Sequence, residues 1–489
     1  MSALQAVRPL LDEVRGACTD PTVGAALDRL SVRLDEPLIV ALAGKVKAGK
    51  STLLNALIGE QLAPTDAGEC TQVVTWYRNG PTYRVVIELT DGSSRQVPFH
   101  RDEGALELDL GGTPVEQITR IVVDWPSSRL VDVTLIDTPG LDSIATATSA
   151  RTQAFLGTAD DGESGEADAV IYLMRHVHRT DLTFLEAFRD DAHAGASPIS
   201  AIAVLSRADE VGACRLDAMG AASRIAESWR VDPRLRRLCQ TVVPVAGLIA
   251  EAGSTLRESE YRGLATLAAM PRPRVDALLL TTDRFLNDQD CDVTQIERED
   301  LLDRLGVFGV RLAISLIRLG AAPTANALAA ELARRSGVVH LRGVLGTVLA
   351  ERRDILKARV ALAGLDAALT TMTDERFEPF RIRLERIGAS AHEFTEVHLL
   401  NAVRSGALAF RAAEIDELDR LLGSIGGPAR SRLGIGSDAN LVEAVLSGVD
   451  RWRRRAENPM TPLDLADAAR AVARTYEGLM PASQPDSPR

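Results

Sequence analysis

The stretch that most restricts what this chain can fold into is ALAGKVKAGKSTLLNAL, Ala41 to Leu57. An apolar run, Leu38 to Ala43, enters a Gly/Lys loop, and a helix-forming run with Leu53, Leu54 and Leu57 leaves it. The order is strand, loop, helix. The loop Gly44-Lys45-Val46-Lys47-Ala48-Gly49-Lys50-Ser51 fits G-x-x-x-x-G-K-[ST] without a departure, in the context that motif requires. Two glycines let the backbone curl so that successive N–H groups point inward, and a helix N-terminus adds partial positive charge at the same place. Such a cradle suits the phosphates of a nucleoside triphosphate. Gly44, Lys45, Ala48, Gly49, Lys50, Ser51 and Thr52 are its candidate residues, with Lys50 reaching the β- and γ-oxygens and Ser51 offering its hydroxyl to Mg²⁺.

Further pieces come in order along the chain. Leu130 to Ile136 reads as a strand and ends in Asp137-Thr-Pro-Gly140, where a carboxylate can hold Mg²⁺ and a glycine N–H can face the γ-phosphate. This is the D-x-x-G element of GTPases. Ala169–Met174 and Ile199–Leu205 read as buried strands, the second ending in Ser206-Arg207-Ala208-Asp209. That tetrapeptide resembles [NT]-K-x-D, with departures at Ser206 and Arg207. Asp209 can accept two hydrogen bonds from guanine N1–H and the exocyclic amine, a pair adenine does not donate, and the stem of Arg207 can lie on the base. GTP is therefore preferred to ATP. Val242-Val-Pro-Val-Ala246-Gly247 reads as a strand and the short loop closing over the base. In the polar loop Pro64–Gln72, Thr71 is the candidate for Mg²⁺ and γ-phosphate, with Thr65 second. The spacing from Lys50 to Asp137 exceeds a minimal domain; Asn79-Gly80 and Asp91-Gly92 inside it imply an antiparallel insertion, the first as a hairpin turn.

Around this unit the pattern is helical. Leu4, Val7, Leu11 and Val14 recur at helical spacing, Asp20-Pro21 breaks the run, and Val23, Leu27 and Leu30 resume it. No convincing strand comes after residue 250. Leu341, Val348, Ile355, Leu362 and Leu369 fall at heptad steps, predicting one helix from Val338 to about Ile387, roughly 75 Å at 1.5 Å per residue. His392 to Leu422 and Asn440 to Ala456 continue the bundle, and Asn458-Pro459 and Thr461-Pro462 interrupt it before a last helix.

Together, the phosphate loop followed by Leu-Leu-Asn-Ala-Leu, Glu69-Cys70-Thr71, Asp137-Thr-Pro-Gly140, the guanine-type motif and the long helical region resemble the dynamin superfamily. The resemblance is to bacterial dynamin-like proteins, and in particular to the isoniazid-inducible dynamin-like proteins of mycobacteria. It implies an α/β P-loop GTPase domain (35–250) with an elongated all-α neck (1–34 and 251–335), a helical trunk (336–480) and a loose tail (481–489). It implies GTP and Mg²⁺ as ligands, Lys50 and Thr71 in catalysis, Ser51, Thr71 and Asp137 at the metal, and Gly140, Arg207, Asp209 and Ala246 at the nucleotide. The phosphate-loop position that is commonly Gln in dynamins, where it places the attacking water, is Val46. Lys47 occupies the slot that looks like the one carrying a cis arginine finger in guanylate-binding proteins, and is the further catalytic candidate; Lys45 could act likewise. Slow hydrolysis raised by dimerisation across the nucleotide face is the expectation, with a GTP-binding scaffold for another dynamin-like chain as the alternative. The family further implies that nucleotide state moves the trunk, and that its tip touches membrane. The tip candidates are Ile387–His392 and Gly423–Ser437, the latter with Arg430, Arg432, Leu433 and Ile435.

The net charge of −12 gives no global pull on nucleic acid or anionic lipid, so no nucleic-acid partner is expected. Arg451-Trp-Arg-Arg-Arg455 reads as a solvated helix face before it reads as a lipid patch. Five cysteines without pairing or metal spacing fit a reducing cytoplasm. No apolar run is long enough to span a bilayer, so the expected location is cytoplasmic, with peripheral contact at the inner face of the membrane.

Overall fold

The computed structural model describes residues 3–63, 73–102, 105–110, 112–139, 167–190, 201–346, 353–390, 392–423 and 428–481. Helices α1 (Ala3–Ala17) and α2 (Pro21–Asp35) lead into β1 (Leu38–Gly44) and α3 (Lys50–Ile58). Asp20 caps α2 by accepting from Thr22 N and Val23 N at 2.8 and 3.2 Å, with Pro21 at the first helical position where it loses no bond. Next come β2 (Thr75–Asn79), β3 (Arg84–Leu89), β4 (Ser94–Gln96), β5 (Phe99–Asp102), β6 (Ala105–Leu108), β7 (Ile118–Trp125), β8 (Val133–Asp137) and β9 (Ala169–Met174). Helix α4 (Arg179–Asp190), β10 (Ala201–Ser206), α5 (Ala218–Val231), β11 (Val242–Val245) and α6 (Gly247–Thr255) complete the α/β unit.

The main sheet has the order β11-β10-β9-β1-β8-β2-β7-β3-β4. β11, β10, β9, β1 and β8 run parallel, and β2 lies antiparallel on β8. β1 is buried at every residue, as a central parallel strand covered on both faces must be. The chain leaves β1 toward β8 on one side and later toward β9 on the other, so the crevice outside the carboxyl ends of these strands is the topological switch point. The insertion widens this sheet and adds a β5–β6 ribbon. Its second turn is a hairpin: Gly92 has φ 82° between β3 and β4. The first is not. β7 lies between β2 and β3, and Gly80 allows close approach instead, since a Cβ there would sit 2.8 Å from Asp124 Cβ.

Helices α7 (Glu258–Ala269), α8 (Arg272–Leu278), α9 (Thr282–Asn287), α10 (Gln295–Arg318) and α11 (Ala325–Arg335) pack with α6 over one side of the α/β unit. Then come α12 (Val338–Val344), α13 (Arg353–Thr371), α14 (Glu378–Ser390), α15 (His392–Ser405), α16 (Ala412–Leu421), α17 (Leu441–Glu457) and α18 (Leu463–Gly478). The single helix expected from Val338 to Ile387 is cut. After Thr371 the chain turns, Asp374 accepts from Arg376 N at 3.0 Å, and Phe377, 2% exposed, drops into a core shared by α1, α2, α13 and α14. The heptad stripe is itself divided: Leu341 packs with the sheet, Leu362 and Leu369 with α1 and α2, and Val348 lies outside the described residues. The N-terminal helices thus pair with residues 353–390 and not with 251–335, because their apolar faces complete that four-helix core.

Helices α15 to α18 form a bundle seated on the edge of the α/β unit. Arg404 pairs with Asp419 at 2.9 Å, Arg236 also pairs with Asp419, and Gln240 Nε2 donates to Gly423 O at 2.7 Å. The break at Asn458-Pro459 falls where the sequence predicts it. The arginine run 451–455 is neutralised within the bundle, with Arg451 on Glu417, Arg453 on Glu477, Arg454 on Asp450 and Arg455 on Glu414. No helix among the described residues is long and apolar enough to cross a membrane.

Candidate nucleotide site

β1 delivers the phosphate loop to the switch point. Gly44 has φ 149°, and a Cβ there would collide with Leu173 O at 2.6 Å; Gly49 has φ 94° at the N-cap of α3. Both glycines of the motif therefore stand where an L side chain is excluded or strained. Lys47 also has positive φ, 60°, a conformation that non-glycine residues keep only where their surroundings impose it. Lys50 Nζ folds back over the loop, donating to Gly44 O at 3.3 Å and Lys45 O at 3.4 Å. Ser51 Oγ donates to Asp137 Oδ2 at 2.7 Å. Asp137 Oδ1 is buried with no hydrogen-bond partner, and burial pushes this carboxyl up despite Lys50 and Ser51. A hydroxyl and a carboxylate make an all-oxygen donor set of the kind Mg²⁺ takes, and the orphaned Oδ1 is the atom such an ion would satisfy.

Beside the loop lies a cavity of about 130 Å³ lined by Ala48, Gly49, Thr52, Ser206, Arg207, Asp209 and Leu248, among others. Asp209 is 8% exposed, and burial, with Glu210 nearby, raises its carboxyl above the usual range against the pull of Arg207 and Arg175. Ser206 Oγ is buried there without a partner. Arg207, at φ 51°, bridges the two halves of the site: Nη1 pairs with Glu210 at 2.7 Å and Nη2 donates to Lys47 O at 3.1 Å, while its stem lines the cavity.

Other candidate residues stand apart from this cradle. Lys45 Nζ lies 3.8 Å from Asp181, which also accepts from Tyr172 OH at 2.9 Å, so this lysine leans toward α4 and away from the loop's interior. Lys47 and Val46 face solvent. Ala246 lies beside the cavity. Its N–H donates to Ser336 O at 2.9 Å, and its neighbours Val245, Gly247 and Leu248 line the cavity. Thr65, Thr71 and Gly140 lie outside the described residues. Sequence reasoning missed Leu248 and the helix α10 behind it. The one local signal was Gly306, a glycine inside an amphipathic run.

A Walker-type loop, a metal-suited Ser–Asp pair and a base-sized cavity floored by a carboxylate define a P-loop GTPase fold at this crevice. Residues 40–178 match the Dynamin family. Over 458 residues the chain is 38% identical to isoniazid-induced protein IniC of Mycobacterium tuberculosis (strain H37Rv), covering 93% of this chain and 92% of that protein. The chain belongs to the dynamin family, and a mycobacterial dynamin-like protein is thus its relative over nearly its whole length. It is also 34% identical over 143 residues to the bacterial dynamin-like protein of Nostoc punctiforme, a match to 27% of this chain and 19% of that one. A solved structure of an oligomerised bacterial dynamin pair, described as a mechanism for long-range sensing and tethering of membranes, aligns with 98% of this chain and 73% of its own at 14% identity and TM-score 0.36.

Proposed function

We propose that this dynamin-like GTPase binds GTP with its base in the Asp209 cavity and its phosphates on Gly44–Thr52, and hydrolyses it slowly. The observation that carries the reading is the continuity of that cavity with the phosphate loop, since Ala48, Gly49 and Thr52 line it together with Asp209. Asp209 would accept from guanine N1–H and the exocyclic amine, and the unpartnered Ser206 hydroxyl supplies a further polar contact to the base edge. Lys50 would leave its carbonyls for the β/γ oxygens, and Ser51 and Asp137 would hold Mg²⁺, which supplies charge neutralisation at those oxygens. Thr71 would join them, and Gly140 N–H would face the γ-phosphate. Lys47, exposed on the loop, can turn its ammonium toward the developing charge; Val46 offers no hydrogen bond to a water, which keeps the rate low.

Nucleotide state would act on the trunk and, through it, on a membrane. The Arg236–Asp419 pair, with the bonds from Gln240 Nε2 to Gly423 O and from Arg404 Nη1 to Cys239 O, holds the C-terminal bundle against the α/β unit, so trunk movement would require breaking them. Of the two tip candidates, Gly423–Ser437 has its cations engaged: Arg430 is committed to Gly436 O and Ala439 O, and Arg432 to Leu421 O and Glu396. Met460 and Leu463, 87% and 75% exposed at the α17–α18 turn, are better placed to enter a lipid surface.

GTP turnover and co-sedimentation with anionic liposomes, with Lys50→Ala as the blank, test this function. Turnover lost in the variant together with protein in the pellet supports a membrane-acting GTPase that self-assembles; Met460→Asp with Leu463→Asp should then abolish pelleting. GTP binding without turnover favours the second reading, suggested by Val46, of a scaffold for another dynamin-like chain.

A further inference from the structure

The segment after β10 carries unusual backbone strain. Arg207, Ala213 and Cys214 have φ of 51°, 59° and 58°, and Gly212, beside the last two, has 66°. Three consecutive residues are thus left-handed and two of them bear a Cβ, a conformation that is strained and retained only where something outside the segment holds it. That something is Arg311. Its Nη1 donates to Ala213 O at 3.4 Å and Cys214 O at 3.0 Å, and its Nη2 to Leu279 O at 2.5 Å. Arg311 belongs to α10, nearly a hundred residues downstream.

The same helix is broken where it passes the base cavity. Gly306 has φ 66° and ψ 172°, and a Cβ there would lie 3.2 Å from Leu248 Cδ1, a cavity-lining group, and 4.0 Å from Asp209 Oδ2. On the near side of the break Arg304 is clamped to Thr255 O at 3.0 Å, Thr255 Oγ1 at 2.7 Å and Glu260 at 2.9 Å. Both flanks of the break are therefore fixed by an arginine, Arg304 to α6 and α7, Arg311 to the loop that carries Asp209.

We propose that Arg311 is a positioning residue for guanine recognition, and that α10, broken at Gly306 and tied to the Asp209 loop, senses whether the base is bound. This rests on the reading of the Asp209 cavity as the guanine site. The physical route is short: base hydrogen bonds pull on Asp209, the strained 212–214 end of its loop is held by the Arg311 guanidinium, and that guanidinium sits on the helix. By linkage, any movement of α10 alters base affinity by the same factor.

The test compares GDP with IDP, which lacks the exocyclic amine and so loses one of the two bonds to Asp209. With wild type, Arg311→Ala and Arg311→Lys, affinities are measured by calorimetry and folding by thermal melts. Arg311→Ala should weaken GDP by about tenfold while IDP changes little, so that the GDP-to-IDP preference collapses; Arg311→Lys, with one donor group where three carbonyls wait, should restore only part of it. Equal weakening of both nucleotides, or none, overturns the proposal. Hydrogen exchange on the wild-type protein decides independently of any variant. Adding GDP should protect 207–214 and 301–318 together, and protection of the loop alone would refute the coupling. A wild type that binds neither nucleotide sinks the guanine-site reading itself, and a wild type that prefers GDP with an unchanged preference in Arg311→Ala sinks only this inference.

Discussion

At the carboxyl ends of β1, β8 and β10, buried polar atoms lack partners: Asp137 Oδ1 and Ser206 Oγ have none, and Asp209 is pushed up by burial. At the amino ends of β1 and β9, where helices α2 and α13 meet the sheet, Asp168 is equally buried but fully engaged. Its carboxylate accepts from Ile39 N at 2.8 Å and Lys357 Nζ at 2.8 Å, with Arg33 at 3.3 Å, and both Lys357 and Asp168 side chains are 0% exposed. Lys357 also donates to Pro37 O at 3.1 Å, and Arg353 to Asp35 O and Glu36 O. Burial still draws the Lys357 ammonium below the ordinary lysine range against the pull of Asp168, and Arg359 Nη1 nearby stays unpartnered, so the joint is costly to build even where it is paired. Buried charge that is paired within the chain holds the helices to the sheet. Buried polar atoms at the other end are left open, and the left-handed residues cluster with them.

Breaking the joint should have the largest effect. Lys357→Ala takes the nearer cation from the buried Asp168 and leaves it only Ile39 N and the longer Arg33 contact, which should cost about 3 kcal/mol, read as a large drop in the first melting transition. If Lys357→Met is equally damaging, the loss is of charge and not of packing; a harmless Met variant would mean the pair is dispensable.

Second comes Asp209→Asn. GTP affinity should fall by one to two orders of magnitude while xanthosine triphosphate, whose 2-oxygen can accept from the new amide, gains. Stability should move the other way. A carboxyl raised by burial favours its protonated form in the folded state, so its stabilising contribution is present below the ordinary Asp range and is lost as pH rises through the raised value. The ligand-free variant should therefore gain on wild type as pH rises toward neutrality, in melts run from pH 4 to 8. A variant that loses affinity for GTP and XTP alike would contradict the base-contact assignment.

Smaller still, Ser206→Ala should lower GTP affinity by no more than about tenfold and leave the ligand-free melt unchanged, because the hydroxyl it removes has no partner to lose. Arg454→Ala, which removes an exposed pair with Asp450, should change stability by less than about 0.5 kcal/mol. A measurable loss there would mean that exposed ion pairs matter to this bundle as the buried one does to the joint.

Much of the candidate site was legible locally. The phosphate loop, Asp137 and Asp209 are each a few residues of strand, turn and cap chemistry, and each lies where its strand ends. The bond from Ala246 N–H to Ser336 O was not legible, because no local pattern connects the two residues. The Asn79-Gly80 turn was misread for a related reason: the pair marks a tight backbone, and only the insertion of β7 between β2 and β3 shows what the tightness serves. The long leucine stripe predicted helix correctly and length wrongly, since nothing in its period says that Phe377 prefers the core of α1 and α2 to a continued turn.

The sequence by itself determined the strand–loop–helix cradle, the order of the GTPase elements and the helical character of the chain beyond residue 250, because glycine conformation, apolar period and capping act over a few residues. The tertiary structure alone decided that α10 backs the Asp209 cavity, that Lys357 answers Asp168 from 189 positions away, and that the C-terminal bundle sits on the edge of the sheet. Those outcomes depend on which buried charge finds which partner, and that is set by the packing of whole faces.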